Sequence, residues 1–401
     1  MDHGWCHVRA ERCGARFDPA ADESRSRASA PRRSAEDHRA VDHAPDHHRR
    51  PSRRAGWIRR DGHLPAGHDH VERIGFHQLE LGFLVGLGIV ASFVRRREHR
   101  SSGDDHRWLA GVTTHRFRAM GTSIEVQGPT GDPHLPRAFE RIVARFEREE
   151  ERFSRFRATS ELSRVNASSG RPTRVTSAFA EVLGLALDGA ALTGSRFDPT
   201  VHDALVAAGY DRTFDEVLAG ARGRLHPAVP CGRWKEISIH DDVVEVPRGV
   251  HLDLGGIAKG WTADRAAEGG VEAGAAWILV NAGGDLRIGG DAPSIAVSVE
   301  DPEDPRRELI SLELSHGALA TSSVVKRSWG DGEHHVIDPR TGLPSQSEVL
   351  QATVWAETCA VAEVLATASI LRGRSAADLH QCILVLRNDE AVISMPVEAR
   401  V

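Results

Sequence analysis

Apolar and polar residues follow a regular pattern only from about residue 107 onward, and strand-like alternation comes first. Residues 113–127 alternate around a break at residues 120–122, which predicts two strand segments with a turn or bulge between them. From residue 234 onward, short alternating or apolar runs return, separated by turns. The later predicted strands span residues 243–246, 250–254, 277–281, 286–288, 295–299, 310–314, 383–386 and 391–395.

Helical periodicity occupies the stretch between these two groups of strands and returns near the carboxyl end. The predicted helices span residues 135–156, 177–192 and 357–371. A shorter helix is expected within residues 154–166, with Ser160 as its N-cap. Residues 320–323 and 334–344 are predicted as loops. Helices mixed with mostly hairpin-linked strands predict the α+β class, as a single domain of mixed, mostly antiparallel sheets with packed helices.

The first 76 residues differ in composition from the rest of the chain. Residues 1–76 are rich in Arg, His, Asp, Ala and Pro and show no period. Such a segment cannot bury enough apolar area to offset its chain entropy, so we expect disorder; a true translation start further downstream is the alternative. Twelve of the 22 histidines precede residue 107, but they lack the repeated i, i+4 spacing that metal binding favours.

Residues 77–106 are predicted to be a linker that contains a short apolar segment. Residues 81–94 are 14 uncharged residues followed by three arginines, whereas a spanning helix needs about 20 apolar residues. A marginal membrane helix, the remnant of a larger segment and a packed helix are all open alternatives, so residues 77–100 are a candidate membrane contact. If this segment spanned a membrane, the arginines would favour a cytoplasmic location for the rest of the chain, and no ordinary signal peptide is recognisable. A cytoplasmic location and a peripheral location at the cytoplasmic membrane are both open.

Charge and cysteine content exclude several classes of function. The net charge of −6 offers no argument for nucleic-acid binding. The five cysteines are scattered and form no C-x-x-C pair, so neither a disulfide framework nor a zinc site is supported. Lysine is scarce: Lys235, Lys259 and Lys326 are the only three in the chain.

One of these lysines lies in a stretch typical of anion binding. Residues 251–267 read HLDLGGIAKGWTADRAA, which predicts a short buried strand, a glycine turn and then a helix from residue 261. Glycine lets a ligand approach the backbone closely, and the free N–H groups at a helix start attract phosphate. Lys259 would add a positive charge there. The alternative is an ordinary strand-to-helix turn with a surface lysine, because short glycine motifs have many false positives.

Seven short motifs occur in chain order at residues 120–122, 160–162 with Asn166, 197–200, 253–259, 281–285, 320–322 and 335–344. Taken together, they resemble the ApbE family, the FAD:protein FMN transferases. The stretches LDLGGIAKG and HVIDPRTGLP are the most diagnostic, and the resemblance covers about residues 113–373. It implies that residues 107–401 form the catalytic domain.

The resemblance implies a reaction as well as a fold. Family members bind FAD with a divalent metal, usually Mg²⁺, attach FMN through a phosphoester to a Thr or Ser of an acceptor flavoprotein, and release AMP. The acceptor would be an FMN-binding redox protein, associated with a membrane in our expectation. The chemistry of such a reaction agrees, because breaking a pyrophosphate requires N–H groups, a lysine and a metal that spread the charge.

By resemblance, the metal ligands are the Gly256 carbonyl, Glu363 and Thr367, and the catalytic residues are Glu363 and Lys259. Glu363 and Thr367 are four residues apart on the predicted helix and therefore share a face. Oxygen ligands suit a hard cation such as Mg²⁺. Glu363 stands where the family more often has Asp, which moves the carboxylate by about 1.5 Å. A solvated helix face is the alternative reading of the pair.

The same resemblance assigns ten residues to FAD. They are Met120, Phe156, Phe197, Asp198, Pro199, Asp253, Lys259, His335, Ile337 and Asp338. Phe156 stands where tyrosine is common, so stacking is kept and a hydroxyl contact is lost. Core packing is the alternative role for Met120 and Phe156.

Two further functions remain open beside FMN transfer. A metal-dependent FAD pyrophosphatase would use the same residues, with water in place of the acceptor hydroxyl and FMN and AMP as products. A non-catalytic FAD-binding protein is the second alternative, because Glu363 departs from the common pattern.

Overall fold

The computed structural model describes residues 111–220, 227–330, 332–388 and 390–394, together with the backbone of residues 90–92. The predictions for residues 1–76, and nearly all of those for 77–106, fall outside these ranges. Val90–Ser92, within the apolar run for which several alternatives were open, form a short strand, β1. Within the described ranges, no helix is both long enough and apolar enough to cross a bilayer.

An antiparallel sheet of eight strands is the centre of the described part of the chain. Across the sheet the strands are β18 (Ala391–Ser394), β17 (Cys382–Leu386), β16 (Val349–Ala356), β11 (Gly317–Ser323), β8 (Asp285–Gly290), β7 (Trp277–Ala282), β3 (Thr122–Pro129) and β2 (Val112–Ala119). Two smaller antiparallel sheets have three strands each. In one, β10 (Glu308–Leu314) lies between β1 and β9 (Ile295–Glu300); in the other, β6 (Val243–Glu245) lies between β4 (Thr173–Arg174) and β5 (Ser238–His240). Two further antiparallel pairs are β12 (Ser328–Trp329) with β13 (Glu333–His334) and β14 (Ile337–Asp338) with β15 (Leu343–Pro344).

The described residues also form seven α-helices. They are α1 (Leu135–Phe153), α2 (Glu161–Ala167), α3 (Ser177–Leu192), α4 (His202–Ala207), α5 (Phe214–Gly220), α6 (Ala258–Glu272) and α7 (Cys359–Arg372). Ser160 caps α2 as predicted, because its hydroxyl oxygen accepts a 2.9 Å hydrogen bond from the Ser163 N–H. The α+β class and the mostly antiparallel pairing are confirmed.

The central strand β7 is buried on both faces, which divides the core into layers. Ile278 and Val280 face a cluster that includes Ile142 and Phe146 of α1. Leu279, on the opposite face, packs in a second cluster with residues of β9 and β10. Because strand side chains alternate, one apolar strand contributes to two layers.

The β2–β3 hairpin turns at residues that line the cavity described below. Met120 and Gly121 have φ values of 50° and 69°. Positive φ at both central positions is the requirement of a two-residue hairpin turn whose twist matches the strands. The Met120 N–H donates a 3.1 Å hydrogen bond to Glu150 Oε2, which helps to hold the non-glycine residue in this conformation.

Three segments differ from their predicted structure. Residues 334–344, predicted as a loop, contain the short paired strands β14 and β15. Residues 250–254 alternate in burial as predicted but pair with no strand. The amide of Asn166 takes the place of a ladder: Leu252 N–H donates to its Oδ1 at 2.7 Å, and its Nδ2 donates to the Leu252 carbonyl at 2.9 Å. Residues 320–323 belong to β11 rather than to a loop, because their backbone pairs with residues 351–354 of β16 and Ala320 packs in one cluster with α7.

Helix α6 touches α7 where Gly260 lies against Cys359. A Cβ on Gly260 would lie 2.5 Å from the Cys359 carbonyl oxygen. Gly260→Ala should therefore lower the free energy of unfolding by about 3 kcal/mol, measured by urea denaturation, because two backbones must separate. Gly269→Ala, in the same helix with nothing within 4 Å, should instead raise it by about 0.4–1 kcal/mol. Equal effects of the two changes would contradict this account of the contact.

Candidate active site

A cavity of about 410 Å³ opens between the β2–β3 turn, the start of α6 and the middle of α7. Eleven of the thirteen residues predicted for the site line this cavity: Met120, Phe156, Phe197, Asp198, Asp253, Gly256, Lys259, His335, Ile337, Glu363 and Thr367. Such a cavity is large enough for a sizeable part of an organic cofactor.

Pro199 and Asp338 do not line the cavity in this structure. The Pro199 carbonyl accepts a 2.9 Å hydrogen bond from the Asp253 N–H and thereby fixes a lining residue. Asp338 pairs with Arg340, with 2.6 Å between Oδ2 and Nη2. Pro199 therefore helps to position Asp253, whereas the Asp338–Arg340 pair is local to the β14–β15 hairpin.

Lys259 lies in the first turn of α6 and is surrounded by oxygen atoms. Its Nζ donates to the Gly255 carbonyl at 3.1 Å, lies 3.1 Å from Asp285 Oδ2 and contacts Glu363 Oε1. The helix begins at Ala258, three residues earlier than the sequence predicts, and so brings the lysine beside the glycine turn. Burial disfavours its charge, but the negative charges of Asp285 and Glu363 outweigh burial and raise the pKa of the ammonium group.

Glu363 is buried in α7 with both carboxylate oxygens occupied. Oε1 contacts Lys259, and Oε2 accepts a 2.8 Å hydrogen bond from the Gly260 N–H. Burial raises the pKa of its carboxyl group to about 7; Lys259 opposes this shift, and the charge of Asp285 adds to it. The alternative in which Glu363 lies on a solvated helix face is therefore wrong.

Asp285 is a functional candidate to which the sequence analysis assigns no role. Its motif, residues 281–285, is recognised there, but only the fold shows that its carboxylate reaches Lys259. The exposed fractions of the Asp285 and Glu363 side chains are 4% and 3%. Two buried carboxylates thus share one ammonium group, which leaves excess negative charge when both are ionised.

The oxygen atoms beside this charge cluster fit a divalent cation. Thr367 Oγ1 and Ser322 Oγ lie 3.1 Å apart, and both residues line the cavity together with Glu363, one helical turn before Thr367. A Cβ built on Gly256 would lie 4.0 Å from Thr367 Oγ1, so the glycine backbone approaches the same hydroxyl group. Carboxylate, hydroxyl and carbonyl oxygens are the ligands that a hard cation prefers.

Helix α7 is held in place by a buried acid on α6. Asp264 accepts hydrogen bonds from the N–H groups of Cys359 at 2.8 Å and Ala360 at 3.0 Å, the first two residues of α7. A carboxylate at a helix start satisfies free donors and interacts favourably with the helix dipole. Asp264 thereby fixes the helix that carries Glu363 and Thr367.

Arg155 and Tyr210 form an aromatic and cationic wall that the sequence analysis does not identify. The Arg155 guanidinium carbon lies 4.4 Å from the centroid of Phe156 and 4.3 Å from that of Tyr210. Arg155 Nε also lies 3.0 Å from Asp253 Oδ2. Because residues 155 and 210 meet only in the folded chain, no local pattern indicates this wall.

Several buried polar atoms of the lining residues lack a hydrogen-bond partner among the described residues. They are Arg155 Nη2, Arg196 Nε, Asp198 Oδ2 and His335 Nδ1. Burial, together with the positive charge of Arg327, holds the pKa of His335 well below its usual value, so the imidazole is neutral. Unpaired buried donors and acceptors are costly, which indicates that the cavity is built for a polar ligand.

Comparison with known proteins identifies relatives for most of the described chain. The ApbE family model matches residues 120–382. An FAD:protein FMN transferase of Vibrio cholerae is 26% identical over 292 residues, which cover 68% of this chain and 86% of the relative. A protein of the same name from Treponema pallidum is 27% identical over 269 residues, 61% of this chain and 73% of the relative.

Solved structures share the fold. The ApbE protein of Thermotoga maritima superposes with a TM-score of 0.62 at 26% identity, covering 71% of this chain and 97% of that one. The flavin transferase ApbE from Vibrio cholerae, at 23% identity and a TM-score of 0.59, covers 71% and 97% and supports the fold alone. The family match spans the β2–β3 turn, the start of α6 and all of α7, which together carry the cavity. The chain therefore belongs to the ApbE family.

Proposed function

We propose that this chain is an FAD:protein FMN transferase. It would transfer the FMN moiety of FAD to a Thr or Ser hydroxyl of an acceptor flavoprotein through a phosphoester bond. The observation that carries the proposal is the charge cluster in the cavity, where Lys259 lies between Asp285 and Glu363 beside the hydroxyl group of Thr367. The names of the relatives support the same reaction.

The transfer forms one P–O bond and breaks another. The acceptor hydroxyl oxygen attacks the phosphorus of the FMN half of FAD, and the bond from that phosphorus to the bridging oxygen breaks. AMP leaves with the bridging oxygen. Glu363, with a pKa of about 7, is suited to take the hydroxyl proton near neutral pH. Lys259 stays charged and can stabilise the negative charge that develops on the phosphate oxygens.

A divalent cation, Mg²⁺ in our proposal, would be held by Glu363, Thr367 and the Gly256 carbonyl. When bound, it would neutralise pyrophosphate charge and promote ionisation of the hydroxyl group. The oxygen-only donor set and the excess charge of Asp285 and Glu363 over Lys259 support this assignment. The hydroxyl group of Ser322, 3.1 Å from that of Thr367, is a further candidate oxygen ligand.

The remaining proposals concern the domain and its partner. All cavity-lining residues lie at position 118 or later, which supports residues 107–401 as the catalytic domain. The acceptor would be an FMN-binding redox protein. Association of that protein with a membrane, and membrane contact through residues 77–100, remain predictions.

Intact mass of the acceptor tests the proposal directly. The full chain is incubated with FAD, Mg²⁺ and a flavoprotein that carries a candidate Thr, and AMP release is measured in parallel. We expect the acceptor to gain the mass of one FMN less water, with stoichiometric AMP, and no gain when that Thr is replaced by Val. AMP and FMN without an acceptor adduct would identify a pyrophosphatase. FAD binding without either product would identify a non-catalytic binding protein.

A further inference from the structure

We propose that His202, Asp203 and His251 form a second metal site, for a divalent transition metal of the zinc class. The three residues offer two imidazole nitrogens and one carboxylate oxygen, all within 4.8 Å of one another. None of the three lines the cavity described above. The proposed site is therefore separate from the oxygen donors around Thr367 and does not depend on the transferase reaction.

The distances within the cluster are close to those between ligand atoms that share one metal ion. His251 Nδ1 lies 2.8 Å from Asp203 Oδ1, and His202 Nδ1 lies 2.9 Å from the same oxygen. In a tetrahedral zinc site with bonds of about 2.0–2.1 Å, neighbouring ligand atoms lie about 3.3 Å apart. Each of these two imidazole-to-carboxylate separations would have to lengthen by only about 0.5 Å to reach the spacing around an ion.

The donor set determines which metals the site would take. Two imidazoles and one carboxylate are suited to Zn²⁺, Co²⁺, Ni²⁺ or Fe²⁺, whereas Mg²⁺ prefers oxygen ligands alone. The exposed fractions of the side chains are 21% for His202, 39% for Asp203 and 35% for His251. This partial exposure leaves room for water to complete the coordination.

Metal binding also requires a change of tautomer in each histidine. Because an ionised carboxylate can only accept hydrogen bonds, each neutral imidazole must carry its proton on Nδ1 in this structure. Coordination through Nδ1 would move that proton to Nε2 by way of solvent. Neither imidazole then changes its charge, and Asp203 supplies one negative charge to the ion.

The position of the cluster gives the metal a structural consequence. His202 follows the turn of residues 197–200 by two positions, and His251 precedes Asp253 by two positions. The two segments are already joined by the 2.9 Å hydrogen bond from the Asp253 N–H to the Pro199 carbonyl. A metal ion would cross-link two segments that contribute to the cavity wall, and should raise the melting temperature of the protein.

Zinc stoichiometry of the untagged full chain tests the proposal. Equilibrium dialysis with Zn²⁺ in excess Mg²⁺ is compared between the parent chain, His202→Gln and His251→Gln, with the exposed His240→Gln as the matched control. Because the chain has 22 histidines, the informative quantity is the difference in bound Zn²⁺ between the parent chain and each variant, and not the total bound Zn²⁺. We expect both test variants to lose about one equivalent of tightly bound Zn²⁺, and the Zn²⁺-dependent rise in melting temperature, while the control loses neither.

A second measurement needs no substitution and remains informative if a variant fails to fold. Zn²⁺ but not Mg²⁺ should slow the carbethoxylation of His202 and His251 by diethyl pyrocarbonate in the parent chain, mapped by peptide mass, while His240 reacts at an unchanged rate. Absence of this protection, or full zinc stoichiometry in folded His202→Gln and His251→Gln, would overturn the proposal. The three residues would then form a hydrogen-bonded cluster only.

Discussion

Glu363→Gln should reduce the rate of FMN transfer by about 10²–10⁴-fold, the usual effect of losing a general base. Glutamine keeps the size of the side chain, and its carbonyl oxygen can still accept the hydrogen bond from the Gly260 N–H. It cannot take a proton from the acceptor hydroxyl, and it offers no charge to a divalent cation or to Lys259. FAD affinity should change much less, because the aromatic wall and the other lining residues remain.

Three further variants make this result specific. Thr367→Val should impair the use of Mg²⁺ less than Glu363→Gln does, because it removes a neutral oxygen. Glu363→Asp should also reduce transfer, since the shorter side chain cannot span from α7 to both Lys259 and the Gly260 N–H. Glu357→Gln, at an exposed carboxylate just before α7, is the matched control. Rates are measured from AMP release at several Mg²⁺ concentrations, and an unchanged Mg²⁺ dependence in Glu363→Gln would refute the assignment.

Lys259→Met should weaken FAD binding more than FMN binding and lower the stability of the protein. The lysine is assigned to the pyrophosphate, which only the dinucleotide carries. Its removal leaves Asp285 and Glu363 buried without their shared counter-charge, and breaking a buried ion pair costs about 3–5 kcal/mol in the free energy of unfolding. Mg²⁺ should recover more stability in this variant than in the parent chain, because the cation can replace the missing ammonium group.

Flavin fluorescence titration and urea denaturation, each with and without Mg²⁺, measure these effects. Lys235→Met is the matched control, since Lys235 is exposed and stacks on Trp234 away from the cavity. If Lys259→Met bound FAD and FMN as the parent chain does, Lys259 would serve only to neutralise Asp285 and Glu363, and its assignment to the pyrophosphate would be wrong.

Periodicity was sufficient to predict most of the fold. Strands with clear alternation, such as those in residues 113–127, and helices with clear periodicity, such as residues 177–192, occur where they are predicted. Residues 250–254 are different, because alternation predicts which side chains are buried but not what the backbone binds. Here the backbone of Leu252 binds the side chain of Asn166 and no neighbouring strand. Residues 320–323 are small and polar, and only the overlying helix explains why they form a central strand.

The site residues were predictable as motifs but not as interactions. Local spacing placed Glu363 and Thr367 on one helical face, and the glycine turn marked Lys259. The pairing of Lys259 with Asp285, and the contact of Arg155 with Tyr210, join residues far apart in sequence. Helical and strand periodicity do not predict contacts between distant residues, so the charge pairing within the site is known only from the folded structure.

The strand order of the large sheet has a consequence for synthesis on the ribosome. Strand β16 lies between β11 and β17, and its apolar face, together with β17, supports α7. While β17 is still inside the ribosome, β16 is an unpaired edge of the sheet beneath the helix that carries Glu363. We therefore expect ribosome-bound chains that end before residue 382 to expose this edge to chaperones and to acquire FAD only after β17 has emerged.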